Sequence, residues 1–281
     1  MNLLNIIEEI EKVDPEFQDR ISPRRAAIRN ITSFGSKVAI AAMPFAFTTL
    51  FKKAYGQSAT PSVTDVLNYA LKLEYLEAAF YNQGATSGLG FSASEKSYVE
   101  TIRGHENAHV TFLKNVLGSA AVAQSTQGTA GVYDFTAGGT FPTVFTSVDT
   151  FLAVAQALED TGVRAYKGQA PNLQKDGVAL SAALNIHSVE ARHAAAVRQL
   201  RRSRGGAGAA TKPWIVGAND TGISAVNANY AGEDNVTQGP VTITSLTGVG
   251  GNISVNAATG SFDEPLTMAQ VLPLVTPFGV K

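Results

Sequence analysis

The 281-residue chain contains no cysteine. This absence excludes thiolate catalysis, iron–sulfur clusters, cysteine-ligated zinc and disulfide bonds. Charge is also sparse, with 16% charged residues and a net charge of −1. Because the chain has no basic stripe with interleaved aromatic residues, nothing in it predicts nucleic acid as a partner.

Length and composition predict one sizeable hydrophobic core with appendages, because 44% of the residues are apolar and the chain is long for one domain. The pattern divides into three regions. We predict an N-terminal segment with a linker over 1–62, a helical bundle over 63–202 and a C-terminal extension over 203–281.

The N-terminal segment combines an acidic amphipathic start with Arg24 and Arg25, which precede an apolar run over 38–51. Paired arginines before a modest apolar run, with small residues near Ala59, resemble a twin-arginine export signal. The segment therefore predicts export to the periplasm or cell envelope. The alternative is an uncleaved, cytoplasmic form, and residues 1–55 would then lie on a membrane surface or on the chain's own bundle.

The second region has the apolar periodicity of four helices, over about 63–82, 94–117, 147–168 and 175–202. Ser92 and Glu95 are spaced as a capping box at the start of the second helix, and Gly118 is placed to end it. A long stretch rich in Gly, Thr, Ser and Phe, about 119–146, separates helices two and three. Since the other links are short, we predict an all-α four-helix bundle with one long crossover.

The C-terminal extension opens with a glycine-rich break at 204–208. Alternating residues predict short strands at 241–244 and 253–255, and the glycines at 248–251 predict a turn rather than a phosphate-binding loop. A final amphipathic helix around 266–275 is predicted to pack on the bundle.

The two halves of the bundle repeat one pattern of polar residues. In each half a glutamate is followed seven residues later by a tyrosine, and the next helix carries Glu-x-x-His. The residues are Glu74, Tyr81, Glu106 and His109 in the first half, and Glu159, Tyr166, Glu190 and His193 in the second. Equivalent residues are 84 or 85 positions apart, which indicates an internal repeat.

Each of these carboxylates lies on the apolar stripe of its helix, and this stripe faces the core. Four buried carboxylates without cations would each cost several kcal/mol of desolvation. Two divalent ions balance their four charges when both imidazoles are neutral. Oxygen-rich ligation with one histidine per metal suits iron or manganese rather than structural zinc. The pattern therefore predicts two iron ions, with manganese or a mixed Fe/Mn pair as the alternative.

This motif set resembles the ferritin-like di-iron carboxylate superfamily. More narrowly, the stretches 73–81, 158–168 and 262–266 resemble a bacterial branch related to plant desiccation-associated proteins. The resemblance implies a ferritin-like fold with a metal centre as the reactive group. It implies that Glu74 and Glu159 are terminal carboxylate ligands and that Glu106 and Glu190 bridge the metals. It also implies that His109 and His193 each bind one metal, and that Tyr81 and Tyr166 hydrogen-bond the ligands from outside the coordination sphere. Plant members of that branch lack some of these ligands, whereas this sequence keeps all six.

Glu77 is the alternative to Glu74 as a ligand, because it lies one turn away on nearly the same side of the helix. The repeat favours Glu74, since Gly162 occupies the position that matches Glu77. His105 and His187 do not match each other in the repeat, so we expect them beside the site or on the surface.

Two less specific hypotheses remain for the same residues. In the first, Tyr81 and Tyr166 are ordinary core aromatic residues. In the other the bundle has lost its metals, and its buried acids are neutralised or paired with Arg103, Arg164 and Arg192.

The resemblance implies a protein that oxidises Fe(II) or reduces peroxide or dioxygen in stress protection, so the expected substrate is dioxygen or peroxide. One alternative is a non-catalytic scaffold or interaction protein with a desiccation- or envelope-protective role. A di-iron oxygenase is another. A homodimer is the default expectation for assembly, and the long appendages argue against a hollow ferritin cage.

Overall fold

The structure is a computed structural model that describes residues 61–124, 133–218, 220–248 and 250–280. The predicted export signal and amphipathic start lie outside these residues. The chain divides into two compact units. Over the described residues, one comprises 61–236 with 255–280, and the other comprises 237–254. The described part of the chain is mostly helical, with short strands near the C-terminal end.

Four long helices form the larger unit, and each starts at a side-chain cap. They are α1 (Val63–Thr86), α2 (Ala93–Leu117), α3 (Val148–Gln169) and α4 (Gly177–Arg204). Ser62 with Asp65 and Ser92 with Glu95 form capping boxes, which satisfy amide groups that a helix start leaves without partners. The four predicted helices are therefore confirmed, and their ends differ from the predicted bounds by four residues or fewer. The first helix continues to Thr86, and the fourth begins after Asp176, whose carboxylate caps it, rather than at 175.

The helices pack in two pairs, α1 with α2 and α3 with α4, and each pair has a short internal connection. The link between α2 and α3 is long, as predicted, and its described part places Phe135, Phe141 and Val144 in the core. One long crossover between two helical pairs is a ferritin-like connectivity. At the centre of the core, Phe80 on α1 stacks on Phe151 on α3 with ring centroids 4.6 Å apart.

Helix α3 is buried along nearly its whole length because the C-terminal extension covers the side that faces away from α4 and α1. Two short helices follow in this unit, α5 (Val255–Thr259) and α6 (Met268–Val275), and α6 packs against α3. Val271 and Val275 are its buried residues, which confirms the predicted terminal helix. Gly168 is required on α3, because a Cβ there would lie 1.8 Å from the carbonyl oxygen of Leu266.

The second unit, over its described residues, contains two small hairpins. Strand β1 (Thr237–Gln238) pairs antiparallel with β2 (Val241–Thr242), and β3 (Thr247–Gly248) pairs with β4 (Gly251–Asn252). The predicted strand at 241–244 is wrong beyond Thr242, because Ile243–Ser245 is a 3₁₀ turn. The predicted strand at 253–255 is also wrong. Three alternating residues are too few to hold an extended conformation without a paired strand, and α5 begins at 255. Pairing of Gly248 with Gly251 confirms the glycine turn.

Among the described residues, none of the helices has the length and apolar character that crossing a membrane demands.

Candidate metal centre

The six predicted ligands meet in the middle of the four-helix bundle. Helices α1 and α3 each contribute one glutamate, and α2 and α4 each contribute a glutamate and a histidine. All six side chains are buried: Glu74, Glu106, His109, Glu159, Glu190 and His193. Their convergence follows from the local sequence, since each lies on its helix's apolar stripe and that stripe packs inward.

The first cluster gathers three carboxylates around one imidazole nitrogen. Nδ1 of His109 lies 3.0 Å from Oε2 of Glu74, 3.3 Å from Oε2 of Glu106 and 3.2 Å from Oε1 of Glu190. One ligand atom from each of these four residues falls within 4.8 Å of the others, which is close enough for one cation to bind them together.

The second cluster repeats this arrangement in the other half of the bundle. Nδ1 of His193 lies 2.8 Å from Oε1 of Glu106, 3.3 Å from Oε2 of Glu159 and 4.0 Å from Oε1 of Glu190. One ligand atom from each of the four residues in this cluster also lies within 4.8 Å of the others; the residues are Glu106, Glu159, Glu190 and His193.

Glu106 and Glu190 belong to both clusters, whereas Glu74 and Glu159 belong to one each. The two shared glutamates are therefore placed to bridge two cations, and the two unshared ones are placed to bind at the outer ends. Two cation positions that share two carboxylates are compatible with a di-iron site.

Two tyrosine hydroxyls support the outer glutamates from the opposite helix. Tyr81 on α1 donates to Oε1 of Glu159 on α3 at 2.5 Å, and Tyr166 on α3 donates to Oε1 of Glu74 on α1. Both tyrosines are buried. Each hydroxyl bonds a carboxylate of the cluster rather than a backbone group, which favours the predicted support of the ligands over the hypothesis of ordinary core aromatics.

Without cations, the buried carboxylates and imidazoles of the cluster shift one another's pKa values. Burial raises the pKa of Glu74 to about 7, and it raises the pKa of Glu190 well above its ordinary value, with the Glu106 charge adding to the effect. Burial opposes a charge on His109 and His193 too, but hydrogen bonds and charges from the surrounding carboxylates outweigh it. Their pKa values rise to about 12 and about 11, respectively. Protons therefore occupy the cluster unless metal ions displace them.

Several buried ligand atoms have no aligned hydrogen bond within the described residues, although some lie within ion-pair distance of one another, as Nδ1 of His193 and Oε1 of Glu106 do at 2.8 Å. They are Oε1 of Glu106, Oε2 of Glu159, both carboxylate oxygens of Glu190, and Nδ1 of His193. A buried oxygen without a partner costs about 1–3 kcal/mol, so orphaned atoms in such a number at one place call for an explanation. A pair of oxygen-preferring divalent cations satisfies all of them, and the donor set therefore fits iron or manganese.

Glu77 is buried beside the centre but lies outside both four-residue clusters. Its Oε1 and Oε2 of Glu190 both lie 3.2 Å from the point that a Cβ on Gly162 would occupy. The space over Gly162 therefore accommodates this fifth carboxylate, whose pKa is raised well above its ordinary value by burial and by its acidic neighbours.

The structure separates the other two histidines. His105 is exposed on α2, and its Nδ1 lies 2.9 Å from Nε2 of His193, with the two rings stacked. His187 lies half-buried on α4, outside both clusters. Sequence reasoning placed both beside the site or on the surface, and periodicity alone could not pair His105 with a residue of another helix.

The three arginines that the hypothesis of a metal-free bundle pairs with the buried acids lie away from the central carboxylates. Arg103 pairs with Glu100 on the surface, and Arg192 is exposed. Arg164 is buried, but its guanidinium pairs with Glu233 at 2.7 Å in the C-terminal extension. These arginines therefore do not neutralise the four central carboxylates.

Comparison with known families agrees with this geometry. The sequence profile of the ferritin-like domain matches residues 62–203, which is the stretch that holds all four long helices except the last residue of α4. The chain belongs to the ferritin-like domain family. Within it, this ferritin-like protein keeps a buried acidic and histidine cluster that is compatible with two metals.

No curated protein matches the chain. No solved structure matches it either. The narrower resemblance to desiccation-related proteins therefore stays a prediction.

Proposed function

We propose that this ferritin-like protein is a di-iron carboxylate protein that oxidises Fe(II) or reduces peroxide or dioxygen in protection against oxidative stress. The observation that carries the proposal is the pair of four-residue clusters that share Glu106 and Glu190. Two iron ions held there would supply two electrons to one oxidant molecule.

The protein's own residues have separate tasks in this proposal. Glu106 and Glu190 would each contribute to both ion sites, and Glu74 and Glu159 would each contribute to one. Tyr81 and Tyr166 fix the orientation of those outer carboxylates through short hydrogen bonds. Burial of the whole cluster excludes bulk water, which strengthens every charge interaction inside it.

An apolar cavity lies beside one of the tyrosines that bond the cluster. It is lined by Leu67, Leu73 and Leu113 among others, and it reaches Tyr166, whose hydroxyl bonds Glu74. An apolar space of this kind supports access of dioxygen to the neighbourhood of the cluster. An oxygenase would in addition need a pocket for an organic substrate next to the centre.

The test is elemental analysis of protein purified without a metal-affinity tag, beside the double variant Glu106→Ala/Glu190→Ala. We expect about two irons per chain, lost in the variant, because both substitutions remove bridging ligands. Oxidation of added Fe(II) by dioxygen or peroxide should be lost with them. Metal well below one per chain, unchanged after anaerobic loading with Fe(II), would overturn the proposal and favour the scaffold alternative.

We also propose export to the periplasm or cell envelope, with an uncleaved form that associates peripherally with a membrane through residues 1–55 as the alternative, and a homodimer as the assembly. The support for export and membrane association is the paired arginines and apolar run of the sequence. Fractionation of cells that express the full chain and a variant with Arg24→Lys and Arg25→Lys tests export. Unchanged cytoplasmic location of both proteins would overturn it.

A further inference from the structure

His193 has different partners on its two ring nitrogens. Nδ1 faces the carboxylate cluster, 2.8 Å from Oε1 of Glu106, while Nε2 lies 2.9 Å from Nδ1 of His105. The two imidazoles stack, with ring centroids 5.2 Å apart and planes 14° apart. His105 directly precedes Glu106 on α2, so one turn of this helix contacts both sides of the same imidazole.

The chemistry of imidazole fixes the roles of these atoms. A histidine that gives the Nδ1 lone pair to a cation keeps its proton on Nε2. Nε2–H of His193 then donates to Nδ1 of His105, and His105 carries its own proton on Nε2. A hydrogen bond of this kind fixes the tautomer and the ring orientation of the ligand, and it raises the ligand's basicity.

This support exists in one half of the repeat. Ligand positions in α2 and α4 are offset by 84 residues, so the position that matches His105 is Val189. A valine side chain has no hydrogen-bonding group. The two cation positions therefore have equivalent ligands, but His105 stands behind one of them.

We propose that His105 is a positioning residue for His193 and that it strengthens cation binding at the half-site of Glu159 and His193 specifically. This inference rests on the proposed function, since it assumes a two-metal centre. His105 itself is not a ligand, because its Nδ1 faces Nε2 of His193 rather than a carboxylate.

The experiment measures anaerobic Co(II) binding by ligand-field absorption in two backgrounds. Glu74→Ala leaves the half-site that contains His193, and Glu159→Ala leaves the one that contains His109. His105→Phe keeps an aromatic ring for stacking but removes the acceptor. We expect it to weaken Co(II) binding by about 10–100-fold in the Glu74→Ala background and to leave binding unchanged in the Glu159→Ala background.

Two further variants separate positioning from a general structural effect. His105→Gln restores an acceptor, so we expect it to recover most of the affinity in the Glu74→Ala background. His187→Phe alters a histidine outside both clusters and should change neither background. His105→Phe in the otherwise unaltered chain should convert Co(II) binding into two separate steps, which tests the inference without a ligand substitution.

The outcomes distinguish this inference from the proposed function. Equal loss in both backgrounds, no loss in either, or failure of His105→Gln to recover affinity would each overturn the role of His105. If the unaltered chain binds two Co(II) ions and His105→Phe does not change their binding, only this inference falls. If the unaltered chain binds no Co(II), the proposed function falls, and this inference falls with it.

Discussion

The hydroxyl group of Tyr81 on α1 donates a hydrogen bond to Oε1 of Glu159 on α3, 2.5 Å away. The relationship is reciprocal, because Tyr166 on α3 bonds Glu74 on α1. Each tyrosine comes seven residues after the glutamate on its own helix, yet it bonds the glutamate of the other helix. The glutamate–tyrosine spacing that repeats in the sequence therefore gives a pair of crossed contacts between α1 and α3 at the candidate metal centre.

Tyr81→Phe and Tyr166→Phe should each leave one buried carboxylate oxygen without its donor. Because partners of this kind orient metal ligands, we expect each variant to bind metal about 10–100-fold more weakly. The measurement is a Co(II) or Mn(II) titration with fold monitored by circular dichroism. Tyr75→Phe is the matched control, since its hydroxyl bonds the backbone of Val122 instead. Equal affinity in all three variants would show that the tyrosines only fill space.

Glu190→Gln should separate stability from metal binding. Both oxygens of Glu190 are buried without a hydrogen-bond partner, and its pKa is raised well above its ordinary value by burial and by Glu106. An uncharged amide can donate to the neighbouring carboxylates. We therefore expect the metal-free variant to gain roughly 1–3 kcal/mol in free energy of unfolding at pH 7, because an amide is buried without the cost of taking up a proton.

The same variant should fail to hold two metals, because Glu190 is shared by both clusters. Urea unfolding in the presence of a chelator and metal analysis by mass spectrometry measure the two effects. Glu100→Gln is the surface control, and it should change neither quantity. Destabilisation of the metal-free protein by Glu190→Gln would contradict the electrostatic interpretation.

Metal binding should release protons and weaken at low pH. The carboxylates around His109 and His193 outweigh the effect of burial and raise their pKa values to about 12 and about 11, so both imidazoles are charged at neutral pH in metal-free protein. Each must lose its proton to become a ligand. We expect release of more than one proton per histidine at pH 7, because Glu190 and part of Glu74 are also protonated in the metal-free protein, and stronger binding as pH rises. Titration in a weakly buffered indicator solution measures the release.

The metal-free protein should follow the opposite trend with pH. Burial raises the pKa of Glu74 from an ordinary value of 4.5 to about 7, so its protonated form is favoured in the folded state. A raised folded pKa gives stability that is present below pH 4.5 and is lost as pH rises through about 7. The melting temperatures of metal-loaded and metal-free protein should therefore diverge between about pH 5 and 8. A constant difference would contradict this.

Periodicity and repeat spacing were sufficient to predict the four helices and the convergence of the six candidate ligands, because both depend on the regular 3.6-residue turn. Contacts outside that regularity were not predicted. His105 meets His193 across two helices, and Glu77 fills the space over Gly162. Such contacts depend on how the helices pack against one another, and the periodicity within one helix does not determine this packing.

The sequence pattern predicts that the terminal helix packs on the bundle, but it does not predict the other contacts between the C-terminal extension and α3. Arg164 bonds the backbone carbonyls of Asn229, Ala231 and Glu264, so one guanidinium ties two segments of the extension to the helix. The short strands were overpredicted in the same region. Irregular segments satisfy their backbone groups through side chains of a neighbouring helix, and no alternation of apolar residues indicates this arrangement.

Arg198→Met should strongly destabilise the protein, because Arg198 connects α4 with α3 and with the loop that follows α4. Arg198 is fully buried on α4, and its Nε and Nη2 bond the carboxylate of Asp160 on α3 at 2.9 and 2.7 Å. Its Nη1 also bonds the carbonyl oxygens of Lys212 and Trp214, so the loop after α4 depends on it. Among the described residues, loss of the guanidinium leaves the buried carboxylate with Tyr230 as its remaining donor, which should cost about 3–5 kcal/mol.

Urea unfolding measures that cost, and two comparisons give it meaning. Arg103→Met removes an exposed pair with Glu100 and should cost at most about 1 kcal/mol. Arg198→Met/Asp160→Asn removes both charges, so it should recover part of the loss because no unpaired charge stays buried. Arg198 lies outside both metal clusters, and the folded variant should therefore keep its metal stoichiometry. If Arg198→Met costs no more than Arg103→Met, the buried pair is not what fastens α4 and the following loop to α3.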